Sequence, residues 1–503
     1  MPKPEVIIVE KPFRGRAPAP GGFNNVIEGP ENSYTTSSCD VLRPGKEFHI
    51  APGHTYSNIT DSSNRINEVP LNATVTSNGE AWVVLRNSRL VKFGLTDDIV
   101  DANYDITLSG SHSAHSSVTT SDYPDVISFT DSSGNEKVAW SWQDSTDGDI
   151  ATINSDGSSQ DDDWFSTLTG SGALEKDVPL KLFKGPDGFI YSTNGQYIAQ
   201  HDPSTSNGNN QALDLGPGWV ATSGQPFNDY IAVIAYTDTS FVSGLALGEV
   251  RLYLWDGFSP KPNFIIPIKD NYSGALFNHN GILHIFTSGR SGTNKCWLYA
   301  GGREEQLAWE RRFSEIGQMP QHGQVEVVRN KVHFLTSAAL RAMDGPAFYD
   351  RGNTGANNIG MLSNLQENNL YIGASSDIKK DNLGEYETSV NHRTVLFPLS
   401  YQANITKIVV FFSQFSTDSS VILSLFKNYN NVAIGGANDL LNYTIDNDSH
   451  PEAADEKSVV IKSMTIPDLS SFFMNFSFNH SQSDDEAAII RAVLIYVSPS
   501  NKG

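Results

Sequence analysis

Cysteine is nearly absent: of 503 residues only Cys39 and Cys296 carry thiols. Two so far apart supply neither a disulfide framework nor a CxxC zinc pattern, which leaves at most one bridge. Basic residues are also scarce, 35 Lys and Arg against 57 Asp and Glu, a formal net charge of −22. That balance excludes a protein that grips nucleic acid by its phosphates, which needs a basic face. An acidic surface instead keeps a protein soluble, and it lets DNA slide past without sticking. No stretch approaches the roughly 18 apolar residues of a membrane span. The N-terminal MPKPEVIIVEKPFRGRAPAP is interrupted by Pro and lacks the apolar core of a signal peptide. Synthesis in a cytoplasm is therefore expected, with the sequons at Asn58, Asn72, Asn404, Asn442 and Asn475 a by-product of an Asn- and Ser-rich chain.

Helical patterns are scarce too. REEQLAWERRF (303–313) is the one convincing short helix. What is present instead is a long series of β-type runs ending in Gly, Asn, Asp or Ser, which predicts an all-β chain. With 38% hydrophobic residues the chain has material for more than one core.

The middle repeats loosely. EAWVVLRNSRLVKFG (80–94), KVAWSWQDSTDGDIATINSDG (137–157), GFIYSTNGQYIAQHD (188–202), GILHIFTSGRSGTNKCWLYAGG (281–302) and KVHFLTSAALRAMDG (331–345) each read strand, polar turn, strand. Strand starts near Ala81, Val138, Gly188, Ile231, Ile282, Val332 and Leu370 lie about 48 residues apart, the period of propeller blades. The runs are apolar on both faces, as at Ile282, Leu283, Ile285 and Phe286. Sheets sandwiched around an axis require this, because a small sheet cannot bury both faces alone.

The texture changes near EYETSVNHR (385–393). Five strand candidates follow: 406–415, 419–428, 457–466, 470–479 and 487–499. They predict a β-sandwich or jelly roll, with the acidic IDNDSHPEAADEK (445–457) as a solvated loop. The expected organisation is an extended Pro/Gly-rich leader over 1–60 with little regular structure, a propeller of six or seven blades over 61–387, and a sandwich over 388–503.

Chemistry is sparse. HExxH, Walker A and GxSxG motifs are missing, and GPGWVA (216–221) fits a dinucleotide fingerprint only formally, since Pro217 interrupts it and no βαβ unit surrounds it. The Asp-box of sialidases has no clean copy, because TDSSGNEKVAW places Trp140 too far from Gly134. In DSTDGD, Asp144, Asp147 and Asp149 share a tight turn of the oxygen-rich kind that holds Ca²⁺, with DDDW (161–164) nearby. The twelfth-position Glu of an EF-hand is Ser155, and an ordinary acidic hairpin tip is the commoner use of such a turn. His112 and His115 sit in a Ser/Thr-rich loop, where solvation is commoner than metal binding. Trp142, Trp164 and Trp219 lie beside polar turns; they suit sugar stacking, but more commonly pack blade against blade. No catalytic, cofactor-binding or metal-binding residue is assigned.

The leader carries a resemblance. Gly21-Gly22-Phe23-Asn24, Pro30-Glu31-Asn32, Arg43-Pro44-Gly45 and Pro52-Gly53, with GEVRLYLWDG (248–257) further on, resemble β-propeller structural proteins of tailed-bacteriophage tails. EFHIA replaces the basic residues usual before the second Pro-Gly. The resemblance implies a virion tail component, a nozzle, hub or tip, that is not an enzyme and carries no cofactor. It implies a homo-oligomeric ring, a hexamer if it is a nozzle, lining the DNA-exit channel with acidic side chains and meeting an adaptor or fibre. Alternatives are a glycan- or receptor-binding protein, with exposed aromatics at a sandwich edge, and a propeller hydrolase, with carboxylates and Arg converging on the axis. The structural reading expects no polar cluster there.

Overall fold

The structure is a computed structural model. Between residues 54 and 386 it describes all but 107–121, 145–147, 165–173, 206, 238–247, 290–292, 302–308, 317–318, 337–338, 345–346, 354–358 and 367–368. Outside that span it describes 5–9, 15–16, 32–37, 39–41, 50–52, 389–394, 397–414, 419–426, 439–446, 448–450, 458–461, 466–480 and 489–499. Among the described residues there are strands and turns and no helix. The chain forms two compact units that are not contiguous in sequence: 57–338 with 355–380, and 1–56 with 339–354 and 381–503.

Seven small antiparallel sheets follow one another along the chain. The first is Pro70–Val75, Glu80–Leu85, Leu90–Gly94 and Val100–Ile106; the second has three strands, Val126–Thr130, Glu136–Gln143 and Gly148–Asn154. The third is Leu182–Lys184, Ile190–Asn194, Tyr197–His201 and Gly208–Asp214; the fourth Trp219–Phe227, Tyr230–Thr237, Val250–Trp255 and Phe264–Ile268. The fifth is Tyr272–His279, Ile282–Ser288, Thr293–Tyr299 and Trp309–Ile316; the sixth Val325–Val328, Lys331–Thr336, Ala339–Asp344 and Ala347–Asn353. The seventh takes Ile359–Gln366, Asn369–Ala374 and Asp377–Tyr386, and its fourth strand, His54–Asn58, comes from ahead of the first sheet.

Each first strand touches the first strand of the next sheet, and the seventh returns to the first. This closed ring of meandering sheets is a β-propeller. Apolar clusters cement its junctions. Trp82 and Val84 of the first sheet pack on Trp140 and Trp142 of the second, and Leu252 and Ile266 of the fourth pack on Leu283 and Ile285 of the fifth. The second strands are buried on both faces, as in Glu80–Leu85, whereas the outer strand Gly208–Asp214 alternates. In the second sheet the place of a fourth strand is taken by short bridges of Asp161 to Thr152 and Leu174 to Gly148.

The helix expected over 303–313 is corrected. Trp309–Ile316 is a strand laddered to Thr293–Tyr299, with Leu298 opposite Trp309 and Lys295 opposite Arg312; residues 303–308 lie outside the described residues. An isolated helix of eleven residues is marginal in water, and pairing with a neighbouring strand overrides its propensity.

The second unit holds a twelve-stranded sheet. All five strand candidates recur there, as Phe397–Gln414, Ser419–Phe426, Ser458–Ile461, Ile466–His480 and Ile489–Pro499. Their inward side chains, among them Val410, Leu423, Phe476 and Ile495, form one buried cluster. The expectation of a leader with little regular structure is corrected too. Glu5–Val9 pairs antiparallel with the last strand, Glu5 opposite Val497 and Val9 opposite Val493, and Asn32–Ser37 pairs with Ser389–Thr394. EVIIV is β-branched and Pro-free, so Pro density elsewhere does not stop it from laddering.

Candidate functional site

The residues singled out for chemistry do not converge. Asp149 lies on a strand opposite Trp142 and accepts the amide of Ile150 at 2.6 Å. Asp147, His112 and His115 lie outside the described residues. Among the described residues no group of three or more His, Cys, Asp or Glu is placed to hold a metal. Trp142 is buried and donates to the Asp162 carbonyl at 3.0 Å, Trp164 stacks on His201, and Trp219 lies beneath the Arg251 guanidinium. Gly216 and Gly218 turn the chain into the first strand of the fourth sheet, ahead of no helix. Cys296 is buried and forms no disulfide.

A polar cluster appears elsewhere, from residues without a recognisable motif. Asp125 directly precedes the first strand of the second sheet, Ser223 lies on the first strand of the fourth, and His322 stands three residues before the sixth. These sheets are not neighbours in the ring, so side chains that join them must cross its middle. They do join. His322 Nε2 is 3.1 Å from Asp125 Oδ2, and His322 Nδ1 is 2.8 Å from Ser223 Oγ.

The other sheets feed the same network. Asn72 of the first donates to Asp125 Oδ1, and the Leu182 amide of the third donates to Oδ2 at 2.7 Å. Ser223 Oγ accepts the Leu276 amide of the fifth at 3.2 Å. The Leu362 amide of the seventh binds the carbonyl of Gly323, next to His322, at 2.7 Å. Lys181 is buried beside them, its ammonium donating to the carbonyls of Asp122 and Pro124. Burial pushes the Asp125 carboxyl up, but the charge and hydrogen bond of His322, the charge of Lys181 and the Asn72 amide outweigh it and hold it below the usual carboxylate range. Burial lowers the Lys181 ammonium, and the carboxylates of Asp125 and Asp122 only partly restore it.

Serine, histidine and aspartate in hydrogen-bonded order are the elements of a nucleophilic relay. Here Ser223 and Asp125 are wholly buried and His322 is one-tenth exposed. The surroundings are filled: a Cβ on Gly224 would strike the Phe183 ring, and one on Gly274 the Pro320 carbonyl. The Asp125–His322–Ser223 chain links the second, fourth and sixth sheets across the ring. A polar cluster at the axis was not expected of a purely structural propeller. It is there, but turned inward on itself.

No family model and no curated protein matches the chain. Solved structures do. They include the computationally designed Ika8 protein, at 11% identity and a TM-score of 0.39, covering 63% of this chain and 97% of that one. The Dos1 propeller aligns at 10% identity and 0.40, over 67% and 97%. The Cps50 (Swd1) β-propeller domain of Myceliophteria thermophila aligns at 10% identity and 0.40, over 65% and 98%. Likenesses this distant carry no functional information; the propeller assignment rests on the closed ring of sheets.

Proposed function

We propose that this chain is a structural, non-enzymatic component of a bacteriophage tail, of the nozzle, hub or tip kind. Its seven sheets are the blades of one propeller, and its twelve-stranded unit is a β-sandwich that meets other virion proteins. The observation that carries the reading is the closed ring of sheets, joined across its middle by Asp125–His322–Ser223 into a rigid block, although the structural reading expected no polar cluster there. The tail assignment rests on the leader's resemblance. A DNA channel then lies between copies of the chain in a homo-oligomeric ring, a hexamer in a nozzle, because Asp125, His322 and Ser223 cross the propeller axis. The charge of −22 favours DNA passing without adhering. Native mass spectrometry of the purified chain and a density map of the particle test this. A ring of copies around a DNA path is expected; a chain that stays monomeric and is missing from particles overturns it.

A further inference from the structure

Among the described residues six large hydrophobic side chains are exposed, and three of them, Phe258, Phe264 and Ile265, stand in the last strand of the fourth sheet and the turn that leads into it. Phe258 is 78% exposed. The turn that carries it is pinned. Asp256 Oδ1 accepts the amides of Phe258 at 2.9 Å and Ser259 at 2.8 Å, and its Oδ2 accepts the Ser259 hydroxyl at 2.7 Å and the Asn263 side-chain amide at 3.1 Å. Asn263 Oδ1 accepts the Asp256 amide in return, and the Trp255 indole donates to the Ser259 carbonyl at 2.6 Å. A phenylalanine held out on a turn bonded this way gives up little freedom when it is covered, which is what an interface anchor needs. Phe264 meets the Tyr230 ring edge-on at 5.8 Å. Pro267, exposed on the same strand, hinders the addition of a further strand, so contact there is made by side chains.

Charge indicates what covers this face. Residues 257–269 contain Lys261 and Lys269, both exposed, and no acid, in a chain with 57 Asp and Glu. The converse stands on the second sheet, the one with three strands. There 154–163 contain Asp156, Asp161, Asp162 and Asp163 and no Lys or Arg, with Asp156 and Asp161 exposed. We propose that the Phe258–Phe264–Ile265 face of one copy docks on the acidic end of the second sheet of the next copy. This rests on the homo-oligomeric reading above and names its contact. The two faces differ, so the contact is head-to-tail: it passes from copy to copy until a ring closes, whereas a contact between like faces stops at a pair. The lysines opposite the aspartates set the register, and Phe258 supplies the apolar anchor.

Native mass spectrometry of the full chain over a concentration series tests this. F258S removes the anchor, and K261E/K269E reverses the charge; both change exposed side chains, so melting temperatures should stay at the wild-type value. Each is expected to raise the concentration needed for assembly at least about tenfold. D156K/D161K should do the same, and mixing it with K261E/K269E should restore assembly, because each altered face then meets its complement. If the wild type assembles and these variants assemble equally well, the contact is wrong and the ring reading stands. So is the contact wrong if the two charge variants stay apart when mixed. A wild type that is monomeric at every concentration overturns both. If F258S fails to fold, the charge variants decide by the same outcomes.

Discussion

His322 and Asp125, 197 positions apart in sequence, share a hydrogen bond of 3.1 Å through the middle of a ring in which their sheets, the sixth and the second, are not neighbours. A buried carboxylate is tolerated there because a cation, an amide and a backbone N–H all face it.

Removing the acid should therefore cost more than removing a surface charge. D125A leaves the buried Lys181 ammonium without its counter-charge and the His322 imidazole without its partner, and a loss of about 3–5 kcal/mol is expected by urea unfolding. The pH dependence has a definite sign. The folded carboxyl of Asp125 lies below its unfolded value, so its stabilisation is fully present above the unfolded value near pH ~4 and fades as pH falls through the folded one. Melting curves of the wild type and D125N should converge as the pH is lowered from about 4 and stay apart at neutral pH. A gap that is constant with pH would contradict the assigned direction.

Ser223 should not behave as a nucleophile. A fluorophosphonate probe is expected to leave the folded chain unlabelled, because Ser223 is wholly buried. S223A should cost about 1 kcal/mol, the worth of a hydrogen bond lost from a buried network. Stoichiometric labelling of Ser223, abolished by S223A, would favour the hydrolase alternative.

Close approach of the first strands predicts unequal glycine substitutions. A Cβ on Gly360 would collide with the Pro70 carbonyl across the junction of the seventh and first sheets, so G360A should lose about 1–3 kcal/mol or more. Gly79 has open space around it but a φ of 79°, so G79A should lose only about 1 kcal/mol, through backbone strain. Thermal melts of the two variants check the order.

Deleting residues 1–40 removes Glu5–Val9 from beside Ile489–Pro499 and Asn32–Ser37 from beside Ser389–Thr394. Calorimetry should show the transition of the unit that holds the twelve-stranded sheet lowered and that of 57–338 with 355–380 kept. Equal depression of both, or of neither, would contradict the pairing.

The sequence by itself determined where the sheets lie. Ala81, Val138, Gly188, Ile231, Ile282, Val332 and Leu370 each fall in, or two residues before, the second strand of one of the seven sheets. Those strands are covered on both faces, so most of their positions are apolar, and a run of that kind is visible without any knowledge of its neighbours. The first strands were harder to see, because glycines and small polar residues stand where strands crowd the axis, as in Thr222-Ser223-Gly224-Gln225. The fate of Trp309–Phe313 was decided by a ladder partner, not by its own propensity. The axial brace was beyond the reach of local reading altogether. Asp125, Ser223 and His322 each sit in an unremarkable turn or strand, about a hundred residues from the next, and only closure of the ring brings a carboxylate, a hydroxyl and an imidazole within hydrogen-bonding distance. Periodic burial leaves its mark on every repeat, whereas a contact through the axis is made once and leaves no period to detect.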